Sequence, residues 1–107
     1  MRISVSAPGN HLKPDEVEGI ERDLDKIDRR LKDFKEEVTA EVRVTSANGG
    51  GQGHHVVIEL DYGRTHLIAK AENGDVGMAV REAREELLRQ INDRSRGGHS
   101  QFAKHTT

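Results

Sequence analysis

A chain of 107 residues with 17 basic and 19 acidic side chains, a formal charge of −2 and 33% apolar content has room for one domain with a thin, aliphatic core. Leu, Ile, Val and Phe total 24 residues of 107, above the ~20% below which strongly charged chains stay disordered, so a folded domain is predicted. The chain has no cysteine, which excludes disulfides, thiolate metal sites and cysteine nucleophiles; no apolar run reaches the ~18 residues of a membrane span and the opening MRISVSAPGN lacks a signal-peptide core, so a cytosolic protein is expected.

Residues 2–7 alternate, with Ile3, Val5 and Ala7 on one face and Arg2, Ser4 and Ser6 on the other, which predicts a half-buried strand. Pro8-Gly9-Asn10 breaks it. Pro14 then stands where a first helical residue would be, followed by Asp15 and Glu16, which suit the positive end of a helix. Val17, Ile20, Leu24, Ile27, Leu31 and Phe34 recur at alternating steps of three and four, predicting one apolar stripe on a helix over 14–35. Alternation resumes with Val38, Ala40, Val42 and Val44 inward, and the Gly-rich stretch 46–53 reads as a mobile loop. Segments 54–61 and 64–71 form a predicted hairpin turning at Tyr62-Gly63. Its register sets Asp61 opposite Arg64 and Glu59 opposite His66, and places Val56, Ile58 and Leu60 on the same face as Leu67, Ala69 and Ala71. Asn73-Gly74-Asp75 ends the strand and caps a second helix, whose stripe Val76, Val80, Ala83, Leu87 and Ile91 carries it to about residue 94.

The order is therefore β-α-β-β-β-α. Only one face of each strand is apolar, so both helices are expected on that face, giving an α+β two-layer sandwich with a four-stranded sheet. A strand–helix–strand opening implies parallel first and second strands if they are neighbours, joined by a right-handed crossover. The domain spans 1–96, and 97–107, which has no apolar period, is predicted to be a flexible tail.

Six histidines raise the question of a metal, but His54 and His55 are adjacent in a strand and point to opposite faces, so they cannot both hold one ion. His66 near Glu59 supplies only two ligands. No metal and no cofactor is predicted. The glycines at 49–51 and 53 lack the GxxxxGK[ST] pattern and precede a strand, so no helix N-terminus faces a phosphate there. No Ser/His/Asp or paired-carboxylate constellation can be assembled, and an enzyme is not expected. The first helix is more informative: Arg22, Lys26 and Arg29 form a ridge opposite the apolar stripe, with Arg30 on its flank. Glu18–Arg22, Asp25–Arg29 and Asp28–Lys32 are acid-before-base pairs at i,i+4, so a salt-bridged solvent face is the simpler structural account of the same residues. The second helix carries Arg81, Arg84, Arg89 and Arg96 on its outer half, interleaved with glutamates.

His11-Leu12-Lys13-Pro14 leading to Leu24-Asp25-Lys26-Ile27-Asp28-Arg29, together with Asp75, Ala79-Val80 and Leu87-Leu88-Arg89-Gln90-Ile91, resembles the ribosome hibernation-promoting factors, also called ribosome-associated translation inhibitors or sigma-54 modulation proteins. The element order across 1–96 is similar too. The resemblance implies a non-catalytic, short-form factor that binds the small ribosomal subunit in the channel of messenger and transfer RNA and inhibits translation during ribosome storage. It implies ribosomal-RNA contacts by Arg22, Lys26, Arg29, Arg30 and Arg89. The chain departs from the family in Gly19 and Gly77, where tyrosine is usual, in Lys13 at the threonine cap, and in Asp23 and Asp93 at positions that are often lysine. An interaction module of the same fold that recognises a protein instead of the ribosome is the alternative.

Overall fold

The computed structural model describes residues 1–8, 12–32, 37–46 and 53–106, the last twelve of these by backbone alone. The expected order of elements is present: β1 (Arg2–Ser6), α1 (Pro14–Arg30), β2 (Val38–Ser46), β3 (His54–Tyr62), β4 (Thr65–Asn73) and α2 (Val76–Thr106).

Local chemistry accounts for the helix starts. Pro14 opens α1, where its missing N–H would have no intrahelical partner, and Glu16 Oε1 accepts the Lys13 N–H at 2.9 Å. The Lys13 ammonium can only donate, so it contributes no cap of its own. Asp75 caps α2 directly: its Oδ1 accepts the Gly77 N–H at 3.3 Å and its carbonyl the Ala79 N–H at 3.0 Å. Asn73 Oδ1 in turn accepts the Asp75 N–H at 3.0 Å, which fixes the bend between β4 and α2.

The four strands lie in the order β1-β2-β3-β4, with β1 parallel to β2 and the other pairs antiparallel. The apolar positions of α1 (Ile20, Leu24, Ile27, Leu31) and α2 (Val76, Ala79, Val80, Ala83, Leu87, Ile91) join those of β2, β3 and β4 in one buried cluster. Both helices thus cover one face of the sheet, as the single apolar face of each strand requires, and α2 lies against β3 and β4 with α1 beside it. Ile3 and Val5 of β1 pack on the edge of this cluster. Two side chains of the α2 layer reach the outer border of β4: Gln90 Nε2 donates to the Ile68 carbonyl at 3.2 Å and Asn73 Nδ2 to Glu82 Oε2 at 2.9 Å.

Three expectations need correction. The hairpin turns at Gly63-Arg64, with φ of 57° at Gly63, and pairs Tyr62 with Thr65, Asp61 with His66 and Glu59 with Ile68. The predicted register was two residues off. A shift of two leaves every side chain on its own face, so the sorting of charged and apolar residues could not distinguish the two registers. Tyr62, assigned to the turn, instead ends β3 with its ring buried, and that burial pushes its phenol pKa up. Secondly, α1 ends at Arg30, because the Leu31 N–H is shared between the carbonyls of Ile27 and Asp28 and the chain tightens into a turn; Leu31 remains buried, while Phe34 lies outside the described residues. Thirdly, the backbone of α2 runs to Thr106 and does not end near residue 94. Gly97 and Gly98 lower helix propensity by about 1 kcal/mol each relative to alanine, but unlike proline they keep their N–H donors and do not stop a helix. The loop between β2 and β3 lies outside the described residues at 47–52.

Gly19 is internal to α1, and a β-carbon built there meets nothing within 4 Å among the described residues. Gly19→Ala is therefore expected to raise stability by about 0.5–1 kcal/mol. The check is a higher urea midpoint at unchanged slope; a lower midpoint would mean that the glycine is needed for packing.

Candidate nucleic-acid interface

The stripe that buries Ile20, Leu24 and Ile27 necessarily turns Arg22, Lys26 and Arg29 outward, and all three are exposed, as are Arg30 and Arg89. Contacts between the helices give their relative direction: Asp23 meets Arg81, Lys26 meets Glu85 and Arg30 meets Asn92, so residue numbers rise together and α1 and α2 run parallel. In that register Arg89 lies between Glu85 and Asn92. All five candidate residues therefore share the outer surface of the helical layer.

The surroundings of these cations differ from one to the next. Arg22 makes no ion pair among the described residues. The Lys26 ammonium stands 3.7 Å from Glu85, the Arg29 guanidinium 2.7 Å from Asp25, and Arg30 Nε donates to Asn92 Oδ1 at 3.0 Å. Arg89 is held between two carboxylates, with Nε donating to Glu86 Oε1 at 3.1 Å and Nη1 to Asp93 Oδ2 at 3.1 Å. The hydrogen bonds from Arg89 and Gln90 hold the Glu86 carboxyl below its usual range. Asp25–Arg29 forms as the i,i+4 spacing predicts. Asp28 instead faces the Met1 nitrogen at 3.4 Å.

Arg84 corrects the helical-wheel reading, which set it on the outer half of α2. Its side chain is only 16% exposed, lying between the helices with Nη1 3.4 Å from the Asp23 carbonyl and Nη2 2.9 Å from Glu85. Asp23, at an acid-for-lysine departure, is the group that receives both Arg81 and Arg84. The signal for this contact lies in the flanks of the two stripes: Asp23 and Arg84 each adjoin the apolar face and meet once the helices pack side by side. Asp23–Arg84 thus acts as an interhelical tie, and Glu85 links it to Lys26.

Among the described residues no group of three or more metal-ligating side chains comes together. His66 does approach Glu59, as the sequence reading has it, although through a different register: its Nε2 is 3.4 Å from Glu59 and its Nδ1 2.6 Å from Asp61. The hydrogen bond with Asp61 raises the His66 pKa, and Glu59 adds to the effect. His55 pairs with Glu72 at 3.4 Å on the same open face, whereas His54 turns to the helical side, where its Nδ1 is buried without a hydrogen bond among the described residues.

No family model matches the chain, and no curated protein matches it in sequence. In structure it is similar to the N-terminal domain of Protein Y from Thermus thermophilus, with a TM-score of 0.71 and 20% identity over 85% of this chain and 96% of that one. It is similar also to a ribosomal subunit interface protein from Coxiella burnetii, with a TM-score of 0.72 and 18% identity over 89% of this chain and 98% of that one. The α+β sandwich implied by the family resemblance is the fold of these proteins.

Proposed function

We propose that this domain is a ribosome-associated factor that binds the small subunit in the channel of messenger and transfer RNA, inhibits translation and serves ribosome hibernation. It acts by occupancy and carries out no reaction, so neither metal nor cofactor enters its mechanism, and its place is the cytoplasm. The observation that carries this reading is the ridge of Arg22, Lys26 and Arg29 exposed on the helical layer of a chain with the fold of a ribosomal subunit interface protein. Guanidinium and ammonium groups on a rigid helix pair can contact phosphates while the folded body blocks the channel sterically. No helix among the described residues is long and apolar enough to cross a membrane.

The carboxylates around Lys26, Arg29 and Arg89 favour a second reading, in which the same surface recognises a protein partner. Co-sedimentation with purified 30S subunits separates the two. Three to five phosphate contacts release few counterions, so binding should fall with salt at a log–log slope of about −2 to −4. Wild-type protein that stays at the top of a low-salt gradient with 30S subunits in excess would rule the ribosome out.

A further inference from the structure

The sheet face turned away from the helices is covered by no element among the described residues, and its register arranges the outward side chains in rows across the strands. Asp61 and His66 belong to the first row and Glu41, Glu59 and Ile68 to the second. Arg43, Val57 and Lys70 belong to the third, His55 and Glu72 to the fourth. Within one chain this pattern is unbalanced. Glu41 stands directly opposite Glu59, a like-charge pair that works against the sheet, while Arg43 and Lys70 make no ion pair among the described residues. Ile68 is 42% exposed in the second row, beside Val57 in the third.

We propose that this face pairs with the same face of a second copy of the chain, about a two-fold axis that runs across the strands between the second and third rows. Such an axis lays each strand over its own counterpart and row two over row three. Glu41 then meets Arg43 of the second copy, twice by symmetry, and Glu59 falls between that arginine and Lys70. Val57 faces Glu59 of the second copy and Ile68 faces its Lys70, with Val57 and the second copy's Ile68 as diagonal neighbours over β3 and β4. At the two ends Asp61 meets His55 and His66 meets Glu72. No like charges are opposed. An axis running along the strands would instead set Glu41 on Glu59, so the charges select the first arrangement. Aligned packing of two twisted sheets, at about −30°, keeps strand over strand near the axis. At about 4.8 Å between strands and about 3.3 Å per residue, seven residues each of β2, β3 and β4 and the five of β1 give a patch of roughly 410 Å² per copy. Two copies together bury about 820 Å², short of the ~1,000 Å² total of a specific interface, so the dimer is weak. The helical layer stays free, and the pairing does not depend on ribosome binding.

Analytical ultracentrifugation of the full chain up to about 0.5 mM tests the pairing, a range suited to an interface of this size. Wild type should show a reversible monomer–dimer equilibrium. Glu41→Arg alone and Arg43→Glu alone should each weaken it by about tenfold or more, and the two together should restore it, because each reversed charge again meets its opposite. Since the chain has no cysteine, Thr39→Cys and Thr45→Cys chains, which this axis brings together, can be mixed with a short bis-maleimide. The mixture should cross-link between the two variants far more than either variant with itself. A wild type monomeric throughout, a double swap that folds but does not restore association, or equal cross-linking within each variant would overturn the proposal.

Discussion

Lys26→Glu combined with Arg29→Glu is expected to lower affinity for 30S subunits by about a hundredfold or more, below detection in a sedimentation assay. Each reversal both removes a phosphate contact and adds a repulsion. Neither side chain is needed by the fold: the Lys26 partner Glu85 keeps Arg84, and Asp25 is itself at the surface. Exposed pairs of this kind contribute little to stability, so the circular dichroism spectrum and melting temperature should match wild type. Loss of binding with the fold intact would place the RNA contact on α1. Undiminished binding would move it elsewhere on the domain.

The largest effect on stability is expected at Leu24. Its side chain is fully buried, as is that of Leu87, in the one cluster that joins both helices to the sheet. Leu24→Ala should cost about 2–5 kcal/mol, the removed methyl groups plus the cavity they leave. In a domain of this length that corresponds to a fall in melting temperature of about 10 °C or more. A transition unchanged by the substitution would mean that the stripe of α1 faces another way.

The elements and their faces were legible because burial follows periodicity. The steps of three and four from Ile20 to Leu31 and the alternation of Val38, Ala40, Val42 and Val44 each describe a surface with one dry side, and each is found dry in the fold, while Val17 at the start of the stripe is only half-buried. What sequence reading missed depends on distances between elements. A two-residue slip in the β3–β4 register preserves the faces, so only the turn itself decides it, and Gly63 with positive φ places it one residue later than Tyr62-Gly63. The helical wheel of α2 treats Arg84 as outward because it contains no second helix. Once α1 lies alongside, Asp23 and its carbonyl draw the guanidinium inward. The cations of the candidate interface were likewise readable as exposed, whereas the carboxylates that hold them were only partly so. Asp25–Arg29 is local and follows from spacing, but Lys26–Glu85 joins residues on different helices.

The hydrogen bond from Gln90 to the Ile68 carbonyl bears on how this protein can assemble. A border strand with free carbonyls is a template for another strand, and strand addition has no natural end: each new edge invites the next, which is the route to fibres. On β4 the middle of that template is occupied by a side chain from α2, and at the other border β1 offers only five residues. Contact through the sheet face about a two-fold axis has the opposite property, since it uses up the same surface on both molecules and terminates at two. With one border obstructed, the other short and its face self-complementary, the domain can be concentrated and stored as closed pairs without polymerising.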